Sequence, residues 1–319
     1  MNITPATAAD IPALVELWNV SFGPEWPMTS RLLRQTIEDD PFYETEGSLL
    51  ARDGEKLVGW VLSKTMKNAG PELGRFEKRG GIGAICVHPE YRHQGLATRL
   101  LDRAEAHLHQ HKSPKTLLYY PHHILPGIPI ECEAATEMFQ QRGYVITGDC
   151  CDLKRNLTDY SISQKAREAI AANPDVAFRP ARENEEDAII AFVEREFPGG
   201  WAYSMRLHFQ AGRVSDVLVA VENETIIGFC LTADWSSTRL IPSTYWHPLL
   251  GEKFGGLGPI GIAKEHRKRG LGLALLAVSV DDLKNRGVQE MAIDWTDLVE
   301  FYEKLGFEVW KQYLQAEKK

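Results

Sequence analysis

Gly261-Ile262-Ala263-Lys264-Glu265-His266-Arg267-Lys268-Arg269-Gly270-Leu271-Gly272 is the stretch on which the fold turns, and Cys86-Val87-His88-Pro89-Glu90-Tyr91-Arg92-His93-Gln94-Gly95-Leu96-Ala97 is its second appearance. Each has an arginine, a glycine three residues later, and a glycine or alanine two beyond that. Each lies between an apolar run that reads as a strand and a helical pattern. After Gly270, Leu271, Leu275, Leu276, Ser279 and Leu283 recur on one side, with Gly287 as a stop. The N-terminus of such a helix has unpaired N–H groups and a partial positive charge. Small residues at Gly270 and Gly272 let a diphosphate approach the backbone, and Lys268 and Arg269 add positive charge at the same mouth. A P-loop would place Lys-Ser/Thr after its glycines, and Gly270-Leu271-Gly272-Leu273 does not. A dinucleotide fold would need Gly-x-Gly-x-x-Gly and an acid about twenty residues on.

The doubling extends outward from this stretch. At a shift of 175, Pro5-Ala6 falls on Pro180-Ala181, Phe22 on Phe197, Trp26 on Trp201 and Arg31-Leu32 on Arg206-Leu207. At 169, Ala51 and Gly59 fall on Ala220 and Gly228. The shift of 175 returns for Gly83/Gly258, Ile85/Ile260, Arg92/Arg267, Gly95/Gly270 and Leu100-Leu101/Leu275-Leu276. One repeat at so long a period implies duplicated domains rather than a solenoid. The polar, alanine-rich run from Thr158 to Pro174 reads as a short helix and linker. The expected division is therefore 1–157, a linker over 158–175, and 176–319.

The second copy reads as a strand at Val176–Arg179, a helix at Glu185–Phe197, and a hairpin of Val217–Val221 with Ile226–Thr232. A long loop from Asp234 to Gly256 follows, then a strand at Leu257–Ala263 and a helix at Gly270–Arg286. A strand at Glu290–Asp294, a helix at Asp297–Leu305 and a strand at Phe307–Tyr313 complete it. The first copy repeats the order through Gly95–His111, Thr116–Tyr120, Glu133–Arg142 and Tyr144–Thr147. The class is α/β (α+β), a mixed sheet with helices on its faces. The first copy continues through Gly148–Leu157, one strand more, expected to be lent to the second copy.

The Arg267-to-Gly272 pattern resembles the pyrophosphate-binding motif of the GNAT acetyltransferase superfamily, Gln/Arg-x-x-Gly-x-Gly/Ala. Asp297-Leu-Val-Glu-Phe301-Tyr302-Glu-Lys-Leu-Gly306-Phe307 is similar to that family's segment with a tyrosine four residues before Gly-Phe. The resemblance covers nearly the whole chain as two GNAT units in tandem, an arrangement found in the mycothiol-synthase-like branch. It implies, for each unit, a twisted, mainly antiparallel mixed sheet flanked by helices. It implies acetyl-CoA as cofactor and N-acetyl transfer to a primary amine of a small molecule.

The resemblance also assigns roles. Ile260, Gly261 and Ile262 would meet the pantetheine arm and the acetyl carbonyl, and Arg267, Lys268, Arg269, Gly270, Leu271 and Gly272 the diphosphate. Tyr302 would protonate the departing thiolate, a phenol with an ordinary pKa of about 10 being a sufficient acid. The first copy has Phe139 where the second has Tyr302. It is therefore expected to be non-catalytic, with CoA binding through Val87, Arg92, His93, Gln94, Gly95, Leu96 and Ala97 left open. Asp294, Asp234, His247 and Glu252 are candidate general bases, and no spacing singles one out. Phe197, Trp201, Trp235, Tyr245, Trp246 and His247 either shape the acceptor pocket or pack between the copies.

Composition narrows the remainder. The chain has 319 residues and net charge −8, with 17 Lys+Arg against 21 Asp+Glu in residues 1–160 and 19 against 23 in 161–319. Neither half carries a basic stripe, so no nucleic-acid partner is expected. No signal peptide and no membrane-length apolar run are read, so a cytoplasmic protein is expected, monomeric as an internal pseudo-dimer or homodimeric. Cys86, Cys132, Cys150, Cys151 and Cys230 lack paired metal spacing and read as reduced. His107, His109 and His111 and the pair His122-His123 are discounted as metal ligands. A CoA-binding sensor without turnover and an acyltransferase acting on peptide amines remain as alternatives.

Overall fold

The computed structural model describes residues 1–65, 80–111, 116–117 and 124–318, and its contacts divide the chain into two compact units. Among the described residues the first unit holds 1–65, 80–150 and 312–318, and the second holds 151–311. The first runs β1 (Asn2–Pro5), α1 (Ile11–Phe22), α2 (Ser30–Ile37), β2 (Ser48–Asp53), β3 (Lys56–Thr65) and β4 (Gly80–Val87). It continues with α3 (Leu96–Gln110), β5 (Thr116–Leu117), β6 (Ile128–Pro129), α4 (Glu133–Gln141) and β7 (Val145–Asn156). The second runs α5 (Gln164–Ala171), β8 (Val176–Pro180), α6 (Glu186–Glu196), α7 (Gly200–Gln210), β9 (Val217–Glu222) and β10 (Thr225–Asp234). It continues with β11 (Phe254–Ile262), α8 (Leu271–Asn285), β12 (Glu290–Thr296), α9 (Val299–Glu303) and β13 (Glu308–Lys318). Residues 118–120 of the expected strand and the His122-His123 pair lie outside the described residues.

The second unit's sheet runs β8, β9, β10, β11, β12 and then residues 151–156 of β7. Every neighbouring pair is antiparallel except β11 with β12. The expected extra strand is observed: Asn156 pairs with Glu290 and Leu153 with Ile293. Side-chain alternation fills both faces of this sheet. On β9, Val217, Val219 and Val221 join the core under α6 and α7, while Leu218 and Ala220 join the one under α8. A strand buried on both faces reads as an unbroken apolar run, as Val217–Val221 does.

The first unit repeats the plan as β1, β2, β3, β4 and β5, with residues 312–318 of β13 beside β5. Glu317 pairs with Leu117 and Lys318 with Thr116. α3 packs on β2, β3 and β4, burying Leu96, Leu100, Leu101 and Ala104.

Two irregularities in the second unit position the site. The β11–β12 ladder runs from Phe254↔Glu290 to Leu257↔Ile293 and stops, while β11 stays paired to β10 as far as Gly228↔Ile262. From Gly258 onward β11 therefore turns one edge away from any ladder partner among the described residues. The β12–β7 ladder is interrupted between Ile293 and Thr296. The bulge there carries Trp295 at φ +39, a left-handed backbone that costs a non-glycine residue about 1–3 kcal/mol.

Candidate functional site

The loop before α8 is shaped by backbone rather than by side chains. Lys268 has φ +67 and Gly270 φ +81, and in the first unit His93 has φ +59 and Gly95 φ +74. Alternating hand of this kind turns successive N–H groups toward one concavity, a built-in anion seat. Arg267 Nε donates to Ile262 O at 3.0 Å, and Arg92 Nε donates to Val87 O at 3.2 Å. No side chain caps the first N–H groups of α8 or α3. A Cβ at Gly272 would meet only ordinary contacts with Phe301 and Ile262, the closest at 3.8 Å. Packing therefore does not require glycine there. The Arg269 guanidinium, expected to face the diphosphate, instead pairs with Glu222 at 2.7 Å and donates to Asn173. Its charge is already matched, so only its backbone is on offer. Lys268 is exposed.

The unpaired edge of β11 lies under an aromatic cover. Ile260 and Gly261 are half-buried and Ile262 is buried. A Cβ on Gly261 would come within 2.4 Å of the Phe197 ring, so glycine is what lets Phe197 lie on the strand. Phe197 packs against Trp201 at 5.2 Å between ring centroids, and both rest on Phe229. Trp201 remains 39% exposed. Of the other aromatics considered for the acceptor pocket, Tyr245 and Trp246 are buried. Trp235 sits beneath Lys253, its ring centroid 4.1 Å from the Nζ, and its backbone N–H donates to Phe254 O at the start of β11.

Tyr302, on α9, is buried in the α8-side core. Burial, and secondarily negative charge at Cys230 and Asp294, raise its pKa above the ordinary phenol value, while a hydrogen bond with Thr296 opposes the rise. Its ring is 6.3 Å from Phe307 in an edge-on contact. In the first unit Phe139 packs edge-on to Tyr144 at 5.1 Å and presents no hydroxyl.

Among the four carboxylate and imidazole candidates, Asp294 stands apart. Its Oδ1 is 3.2 Å from where a Cβ on Gly258 would be, at the point where β11 leaves β12. Burial and the neighbouring Asp152 push its pKa up to about 8, against backbone hydrogen bonds to its carboxylate from Ser243 and from its own amide. Asp234 belongs elsewhere: it is buried, bonds Ser236 N and Oγ, and pairs with Arg286 at 3.1 Å. His247 stacks on Phe254 at 4.6 Å, and Glu252 is exposed near the same end of β11. Asp152 was missed by sequence reasoning. It is buried on β7, accepts the Trp295 N–H at 3.1 Å, and precedes the second repeat, so no spacing points to it.

The matching place in the first unit is an apolar cavity of about 70 Å³, lined among others by Phe22, Ile82, Ile85, Leu125, Cys132 and Phe139. None of the five cysteines is joined in a disulfide, and burial pushes Cys86 and Cys230 up to about 12. His107 is bonded to Glu44 at 2.8 Å. No helix among the described residues is long and apolar enough to cross a membrane.

The model of the acetyltransferase (GNAT) family matches residues 11–120 and again 183–307. The mycothiol acetyltransferase of Pseudarthrobacter chlorophenolicus is 26% identical over 248 residues, 73% of this chain and 68% of that protein. Among solved structures, a GCN5-related glucosamine N-acetyltransferase region of a fungal multi-domain GH3 β-N-acetylglucosaminidase superposes with a TM-score of 0.87 at 25% identity. That likeness covers 99% of this chain, which spans 38% of the length of the fungal one. A GCN5-related N-acetyltransferase from Sphaerobacter thermophilus superposes with a TM-score of 0.70 at 17% identity, covering 99% of this chain and 95% of that one.

Proposed function

The chain belongs to the acetyltransferase (GNAT) family, and on that premise we propose that its second unit transfers an acetyl group from acetyl-CoA to the primary amine of a small molecule, an amino sugar being the class that fits best. One observation carries the assignment to the second unit. Among the described residues, it is in the second unit that the uncapped helix N-terminus accompanies a phenol, Tyr302, and a carboxylate, Asp294; the first unit has Phe139 in the phenol's place. The amino-sugar class is supported by Trp201, a half-exposed aromatic face suited to the apolar side of a sugar ring. It is supported too by likeness to a fungal glucosamine N-acetyltransferase region.

Acetyl-CoA supplies an acetyl group activated as a thioester. The residues present fit it. The N–H groups from Arg267 to Gly272 would hold the diphosphate at the positive end of α8. The free edge of β11 at Ile260–Ile262 would hold the amide-bearing arm by strand-like hydrogen bonds. Tyr302 keeps its proton at neutral pH, because burial disfavours the phenolate, and so can give it to a departing sulfur.

The test is thiol release from acetyl-CoA by the full chain with a panel of amines that includes glucosamine. Tyr302→Phe should lower kcat by about 10²-fold or more while calorimetry gives an unchanged affinity for CoA. Equal turnover in the two proteins would remove Tyr302 from the chemistry. Absence of any CoA binding would remove the transferase reading altogether.

A further inference from the structure

The geometry points to Asp294 as the group that takes the proton from the acceptor amine, its carboxylate set at the gap beside Gly258 by the bulge in β12 and faced by a second carboxylate, Asp152. This rests on the transferase reading above and adds to it the residue that makes the amine nucleophilic.

An amine arrives mostly as ammonium and has no lone pair to use. A base must lie within reach of the nitrogen, at the place where the free edge of β11 begins. Asp294 Oδ1 lies 3.2 Å from the Cβ position that Gly258 lacks, so a side chain at 258 would crowd the carboxylate and glycine leaves that space open. A regular β12 would alternate its side chains up and down without interruption. The break in pairing between Ile293 and Thr296, with Trp295 at φ +39, re-aims this part of the strand. Asp152 fixes the bulge by accepting the Trp295 N–H at 3.1 Å. Asp152 is thus a positioning residue for Asp294.

Among the described residues, groups on several elements act on Asp294. β7 brings the charge of Asp152, α9 brings the Tyr302 phenol, the turn at Pro242–Thr244 brings the Ser243 N–H, and β11 brings Gly258. Burial and the charge of Asp152 push the Asp294 carboxylate up to about 8, against the backbone hydrogen bonds it accepts from its own amide and from Ser243. That value is close to a working pH, where a base is most effective.

The protons balance. The ammonium gives one to Asp294, and nitrogen keeps the electron pair that forms the N–C bond as the C–S bond breaks. A second proton leaves nitrogen as the amide forms, matching the one Tyr302 passes to sulfur and restoring the phenol. Asp294 then releases its proton to water.

The experiment is a pH profile of kcat/KM for the full chain, with acetyl-CoA and whichever amine of the panel the wild type acetylates fastest. The wild type should rise with unit slope to a limb near the pKa of Asp294, about 8. Asp294→Asn should lose about 10²–10⁴-fold in kcat with CoA affinity intact. Asp152→Asn should move the limb to lower pH, since it deletes a like charge while its side-chain oxygen can still accept the Trp295 N–H; a limb belonging to the substrate amine would not move. A wild type that acetylates no amine sinks the transferase reading and this one with it. An active wild type whose Asp294→Asn variant keeps its rate, or whose limb is unmoved in Asp152→Asn, overturns the role of Asp294 alone.

Discussion

Tyr302 and Phe139 take corresponding places in the two copies and differ by one oxygen, which separates a proton donor from an inert ring. That difference is readable in the sequence, because the Gly-aromatic pair four residues on fixes the register. Asp294 is different: as a letter it is one acid among several, and only the bulge it sits in gives it a task. Its chemistry has a cost in stability that can be measured. A free aspartate titrates near 3.9, and folding raises Asp294 to about 8. Between those values the folded state binds a proton that the unfolded state does not, so stability attributable to this group falls as pH rises from about 4 to about 8. Asp294→Asn, which has the same shape without the charge, should therefore melt at a higher temperature than the wild type at pH 8. The gap should narrow as pH falls toward 5. A variant that melts lower at pH 8 would mean that the carboxylate is stabilised in the fold.

At the scale of elements, α8 and its leading loop were legible because their determinants are local: glycines at set intervals, then leucines on one face. The residues expected in a helix from Gly270 to Arg286 form one from Leu271 to Asn285. The β12 bulge and the parting of β11 from β12 were not legible, since they arise from pairing between residues far apart in sequence. α7 is not among the elements expected, although Ala202, Met205 and Phe209 have helical spacing, because Pro198-Gly199-Gly200 at its start reads as a turn. The α8 end can be tested without disturbing the fold. Gly272→Asp should be tolerated, as the new Cβ meets only ordinary contacts. A negative side chain in the first helical turn even stabilises by about 0.3–1 kcal/mol. The same carboxylate would fill the anion seat, so affinity for CoA should fall by at least about tenfold while the melting temperature holds or rises. Loss of both together would mean that Gly272 serves packing instead.

At the scale of the molecule, the repeat in the sequence and the compact units in space divide the chain at different places. A two-copy reading puts 176–319 together, whereas the second unit is made of 151–311. Its core includes Leu153, Leu157, Tyr160 and Ala166, all lying before the second repeat begins. Its site includes Asp152, from the same segment. Burying each large apolar side chain contributes about 1.5–3 kcal/mol, so Leu153, Leu157 and Tyr160 together approach or exceed the lower end of the 5–15 kcal/mol that holds a typical domain together. Without residues 151–156, β12 would also expose a row of unpaired N–H and C=O groups, an open invitation to aggregation. A fragment of residues 151–311 should accordingly unfold in urea as one cooperative transition. A fragment of 176–319 should be aggregated, or should melt without cooperativity. Were 176–319 to unfold cooperatively with comparable stability, the strand that precedes the repeat would be an accessory, and Asp152 would have no structural reason to be part of the site.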